Sequence, residues 1–161
     1  GSEMCIRDSV KVAVVERHQG TGNVACGFLK GYGIKEGAVA LSVAHDSHNI
    51  IVAGVNDEEM EFAVNSLIKQ EGGIVLVKEG KVIESMPMPI AGLMSDQSGE
   101  WVDQKLTDIH EKAYEELGIC GDVEPVMTLC FMSLAVIPEI KLTDMGLFDV
   151  TTFSFIPVEV E

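Results

Sequence analysis

The sequence predicts an α/β fold, with an α+β arrangement as the alternative. The expectation is a single compact domain holding a mixed β-sheet, about three packed helices and one βαβ unit. Three observations lead there. Apolar runs at 38–44, 50–55 and 74–78 have the length of buried strands. Two longer stretches, 57–70 and 99–117, carry apolar residues at helical spacing. The order strand, helix, strand across 50–78 is that of a βαβ unit, whose strands run parallel through a right-handed crossover.

Composition narrows the class. A chain of 161 residues fits one domain and one buried core. The net charge of −15, with only 11 Lys and Arg, argues against nucleic acid and against anionic membranes, which both need basic patches. No apolar run approaches the ~20 residues of a membrane span, and no secretory leader is visible. Cys5, Cys26, Cys120 and Cys130 form no Cys-x-x-Cys pair, so a reduced cytoplasmic protein is the simplest reading. Cys26 and Cys130 sit in apolar runs and read as small core residues.

Taken in order, residues 1–9 (GSEMCIRDS) lack periodicity and read as a non-native leader or tag. The domain is then 10–161, and its start in a strand at 10–16 suggests a piece of a longer protein. The polar turn 17–23 (RHQGTGN) has two readings: an anion cradle around Arg17, or a plain strand exit with glycine where φ is positive. The full phosphate-loop pattern is absent. Residues 24–32 read as a short helix or irregular segment packed on the sheet. Asn56 is a helix N-cap with Glu59 as its capping-box partner, and Gly72 and Gly73 end that helix. Glu79-Gly80 makes a tight turn into a strand at 81–85. The segment 86–95 (MPMPIAGLMS) is apolar, but its prolines exclude a helix or central strand, so it fills core or walls a pocket. The helix at 99–117 follows, with His110 at the edge of its apolar face and read as a surface residue. A buried helix is expected at 122–134 with Pro125 in its first turn. An extended segment at 136–140, a turn at 142–147 and a last strand at 148–161, interrupted at Pro157, close the chain.

The chemistry concentrates at His45-Asp46-Ser47-His48-Asn49, set between two apolar runs. Burying five polar groups unpaired costs roughly 2–7 kcal/mol each, so they meet each other or a ligand. One reading is a hairpin turn built on Asp46-Ser47. A second is metal binding, but His45 and His48 point to opposite faces of an extended chain, and no third ligand is assignable. A third is the edge of a pocket, with donors and acceptors suited to a purine. Sequence adjacency does not make a Ser-His-Asp triad.

Arg17-His18 with Thr21-Gly22, the run from Ser42 to Asn49, the run from Pro89 to Ser95, and Leu142-Thr143-Asp144 with Gly146 to Val150 together resemble the C-terminal domain of bacterial and archaeal adenine deaminases, of the amidohydrolase superfamily. The resemblance spans nearly all of 10–161. It implies a part in the metal-dependent hydrolysis of adenine to hypoxanthine and ammonia, in purine catabolism and salvage. In such enzymes a (β/α)₈ barrel holds a divalent metal, manganese or iron or else zinc, which activates water for attack on the purine. This chain has no His-x-His pair and no set of barrel ligands. The catalytic barrel is therefore absent, no cofactor is expected in this segment, and the segment alone is expected to be inactive.

Its partners on this reading are adenine and an N-terminal metal-binding barrel, with a homo-oligomer left open. His45, Asp46, Ser47, His48 and Asn49, with Arg17 and His18, are the candidates for facing substrate; no catalytic residue or metal ligand is assigned. The alternatives are a stand-alone purine- or metal-binding module and a purely structural or oligomerisation domain.

Overall fold

A computed structural model describes residues 9–158. Of the leader read at 1–9, all but Ser9 lies outside these residues, as does Val160 of the expected last strand. Six strands form one sheet: β1 (Ser9–Val15), β2 (Val24–Lys30), β3 (Ala38–Leu41), β4 (Ile50–Gly54), β5 (Gly73–Lys78) and β6 (Lys81–Pro87), in the order β2-β1-β4-β3-β5-β6. Three helices pack with it: α1 (Asp57–Lys69), α2 (Gly99–Glu115) and α3 (Pro125–Cys130). A separate three-stranded sheet is made by β7 (Ile140–Thr143), β8 (Gly146–Asp149) and β9 (Ser154–Ile156).

The strand–helix–strand unit is present in split form. β4 and β5 both run antiparallel to β3, which lies between them. They are therefore parallel to each other but not neighbours, and every neighbouring pair in the sheet is antiparallel. The mixed sheet expected from direct β4–β5 pairing is replaced by this interleaved one. Its central strands are buried on both faces, which is why they read as continuous apolar runs rather than alternating ones.

The two faces hold different cores. On one, Met60, Ala63 and Leu67 of α1 cover Ala13, Ala38, Ala40, Ile50, Val52, Val75 and Val77. On the other, Val12, Val14, Val39, Leu41, Ile51, Ala53, Ile74 and Leu76 meet Ile109 and Ala113 of α2 and Val126 and Leu129 of α3. Asn56 caps α1 by accepting from the Glu59 N–H at 2.8 Å. The other half of the expected capping box differs: the Glu59 carboxylate accepts from the Gly80 N–H at 3.2 Å, tying α1 to the β5–β6 turn. Ser98 caps α2. His110 of α2 pairs with Glu124, which also caps α3.

Five expectations are corrected. Residues 24–30 form β2 rather than a helix; Ala25 and Gly27 face the core while Val24, Cys26 and Phe28 are exposed. Gly27 hid this alternation; it is closely packed, and a Cβ there would lie 3.3 Å from the Leu147 side chain of β8. Cys26 is thus exposed, whereas Cys130 is buried, and burial pushes its thiol up to about 11. The helix expected at 122–134 is only the short α3. The turn expected at 142–147 is the β7–β8 hairpin, and the last strand is divided into β8 and β9. The strand expected at 81–85 runs on to Pro87 at the sheet edge, where a proline is tolerated and ends it.

Candidate functional site

The polar turn connects the two central strands β3 and β4. Ala44 and Asn49, at its ends, are buried, whereas Asp46 and Ser47 are exposed at its tip. The His48 N–H donates to the Ala44 carbonyl at 2.6 Å and closes the turn. His48 itself has φ +52°, a left-handed conformation that non-glycine residues adopt rarely and at a cost. Such a conformation persists where surrounding contacts impose it.

Those contacts come from distant parts of the chain. Arg17, just past β1, donates from Nε to the His48 carbonyl at 2.5 Å and from Nη2 to the Ala91 carbonyl at 2.9 Å. Its own N–H reaches Asn49 Oδ1 at 3.4 Å. His18 Nε2 meets the Ser47 carbonyl at 2.7 Å. Buried Ser42 donates to the Gly92 carbonyl at 2.6 Å and accepts from the Gly73 N–H at 2.8 Å. Gly92 lies so close that a Cβ on it would be 3.0 Å from both Arg17 Nη1 and Ser42 Oγ. Three sequence motifs, 17–22, 42–49 and 89–95, therefore meet at one end of the sheet. The fourth does not join them: β7 and β8 pack on β2 through Leu142 and Leu147.

The imidazoles sit edge to face, with ring centroids 5.5 Å apart. His45 also stacks on Phe131 at 5.0 Å, and its N–H donates to the Cys130 carbonyl at 2.8 Å. His48 Nδ1 is buried without a hydrogen-bond partner. Burial first, then the neighbouring His45 and Arg17, hold the His48 imidazole below its ordinary pKa. The neutral ring is its resting form.

Glu16 organises the adjoining loop. Its carboxylate accepts from the backbone N–H groups of His18 at 2.5 Å, Gln19 at 2.7 Å and Thr21 at 3.1 Å, and from the Thr21 hydroxyl at 3.1 Å. These donors, the Gln19 N–H foremost, hold its pKa at about 2. The anion of the 16–23 loop is therefore the protein's own carboxylate, and the cradle reading of that loop is answered from within. A cleft of about 340 Å³ opens beside Arg17, lined also by Val15, Ile50, Leu67, Ile68 and Gly72, on the α1 side of the sheet.

The site fits some chemistries and not others. Among the described residues, no three His, Cys, Asp or Glu side chains converge as a metal requires. His45 is committed to Phe131 and the turn has no third ligand, so no step through a metal is derived for these residues. Asp46 and Ser47 are presented outward, and the Arg17 guanidinium holds two carbonyl oxygens through Nε and Nη2 while bordering the cleft.

The adenine deaminase C-terminal domain family matches residues 2–154. The chain belongs to that family. It is similar to adenine deaminase 2 of Desulfotalea psychrophila, 74% identical over 153 residues, covering 95% of this chain and 27% of the relative. The adenine deaminase of Nitratidesulfovibrio vulgaris is 55% identical over 151 residues, covering 94% and 26%. That of Bacillus subtilis is 48% identical over 152 residues, covering 94% and 26%. This adenine deaminase C-terminal domain thus spans about a quarter of the length of the relatives it matches.

The candidates Arg17 and His18 lie against the 45–49 turn, to which they are hydrogen-bonded. Sequence reasoning missed Glu16, Ser42, the backbone of Ala91 and Gly92, and Phe131. Ser42 lay inside a motif already singled out, and Glu16 closed a predicted strand beside a glycine-bearing turn. For Phe131 no signal existed, because its partner His45 is remote in the chain.

Proposed function

We propose that this domain closes the active site of a longer adenine deaminase, which hydrolyses adenine to hypoxanthine and ammonia, and that the 45–49 turn is the surface it presents there. The observation that carries this reading is the clamped turn: Asp46 and Ser47 are held outward on a backbone fixed by Arg17, His18 and buried Asn49. Rigid presentation of polar groups at the end of a sheet is what orienting a substrate requires. The divalent metal is assigned to the portion outside this chain, and the compartment is assigned as the cytoplasm from the reduced cysteines.

The test is the His45→Ala/His48→Ala variant of the full-length enzyme. A loss of kcat/KM of tenfold or more is expected, about 1.4 kcal/mol of transition-state stabilisation. An unchanged kcat/KM with the fold intact overturns the reading in favour of a purely structural domain. Titration of the wild-type domain with adenine, watched by calorimetry, is expected to give no heat; a measurable affinity would show a stand-alone purine module instead.

A further inference from the structure

Next to the polar turn lies a surface of the opposite character. From Pro125 to Pro138 the chain carries no charged residue, although Asp, Glu, Lys and Arg make up 23% of it. Much of this stretch is not core. Met127 is 48% exposed, Phe131 36%, Val136 72% and Ile137 44%. Met127 and Phe131 are one helical turn apart and share a face. The Leu134 N–H donates to the Phe131 carbonyl and the Ile137 N–H to the Leu134 carbonyl, so two short turns carry the chain from Phe131 to Ile137. Charge stands only at the border, with Glu124 accepting from the Met127 N–H and Glu139 exposed past Pro138. Exposed apolar side chains with a charged rim mark a protein contact, since the centre of an interface is where charged residues are depleted.

This surface is continuous with the turn. His45 stacks on Phe131 at 5.0 Å, and the Cys130 carbonyl accepts the His45 N–H. Whatever body the turn faces also faces the apolar side chains. The relatives extend well beyond this domain, which covers only 26–27% of them. A domain fixed within one chain needs a packed contact with the remainder if it is to hold a site wall in place.

We propose that the apolar surface of Met127, Phe131, Val136 and Ile137 is where the preceding portion of the full-length enzyme docks. The assignment rests on the reading that the 45–49 turn faces that portion. It adds the means of attachment: an apolar anchor seats the domain, and the polar turn beside it is thereby aimed. The docking surface of the preceding portion is correspondingly apolar.

The experiment uses the full-length enzyme carrying Val136→Glu/Ile137→Glu. Both side chains are substantially exposed in the domain, so the acidic groups stay solvated if the domain is released. The variant is expected to uncouple the domain: one calorimetric unfolding transition becomes two, and kcat/KM falls at least tenfold. Val82→Glu, at a residue 45% exposed on the β6 edge, is the control and is expected to change neither. A single transition with unchanged kcat/KM in the double variant overturns the proposal. So does an equal response in the Val82 variant, which would mark a general effect of added charge. Dissociation of a dimer in sedimentation, with a single transition retained, also overturns it and assigns the surface to a second copy. His48→Ala alone leaves the His45–Phe131 stack in place and so separates the two readings. Uncoupling by Val136→Glu/Ile137→Glu beside full activity of His48→Ala keeps the docking surface and removes the role of the turn. Loss of activity in the histidine variant without uncoupling in the other does the reverse.

Discussion

Arg17 Nε donates to the carbonyl of His48 at 2.5 Å, and His48 stands in the left-handed region at φ +52°. The same guanidinium holds Ala91, also left-handed at φ +59°, through its carbonyl at 2.9 Å. One cation thus fixes two unfavourable backbone conformations and joins the polar turn to the loop after β6. Arg17→Lys keeps the charge but loses the planar fork. Hydrogen bonds to charged groups contribute about 1.5–3 kcal/mol, so a destabilisation in that range is expected. Faster amide exchange at His48 is expected alongside it, read by hydrogen-exchange NMR.

His48 supplies a pH signature for the same contact. Burial, His45 and Arg17 lower its pKa, so the unfolded chain takes up a proton before the folded one does as pH falls. Its contribution to stability is complete above the ordinary histidine value of about 6.5 and is lost as pH falls through the lower folded value. An NMR titration is expected to place the His48 midpoint below 6.5, and Arg17→Ala to move it upward, since one positive neighbour is gone.

Glu16 predicts acid sensitivity of a different kind. Its folded pKa of about 2 lies below the ordinary 4.5. The depressed value means stability that is present above about pH 4.5 and lost as pH falls toward 2. Glu16→Gln is expected to flatten this part of the stability profile and to loosen residues 18–21, read by their amide exchange at neutral pH.

Ser42→Ala tests the buried centre of the site. It removes the acceptor of the Gly73 N–H and the donor to the Gly92 carbonyl. Leaving a buried donor unpaired costs about 1–3 kcal/mol, and chemical denaturation is expected to show a loss of that size.

Gly73→Ala is expected to be harsher. Gly73 has φ +109°, and a Cβ would lie 2.0 Å from the Met86 carbonyl oxygen. Backbone strain and steric overlap together give about 2–6 kcal/mol. Loss of the β5–β6 pairing near Gly73 in exchange measurements checks it.

What the sequence discloses follows from the range of the interactions involved. Helix α1 and its Asn56 cap were legible because both rest on residues a few positions apart. The polar turn stood out because it breaks two apolar runs. The insertion of β3 between β4 and β5 was not legible, since strand order depends on pairings such as Val39 with Leu76, remote in sequence. β2 was misread because Gly27 replaces an apolar signal with none, although it is buried against Leu147. The anchoring of the turn by Arg17 was not legible, since its bonds to the His48 and Ala91 carbonyls join segments remote in the chain.

The turn at 45–49 joins strands that lie side by side in the middle of the sheet, with β1 and β5 paired outside them. This removes it from the class of loops that drift in length. One inserted residue that slid β4 along its neighbours would exchange Ile51 and Ala53 with Ile50 and Val52 between the two cores. The spacing from Leu41 to Ile50 is therefore set by the sheet on both sides of the turn, and a change in its length is felt in both cores.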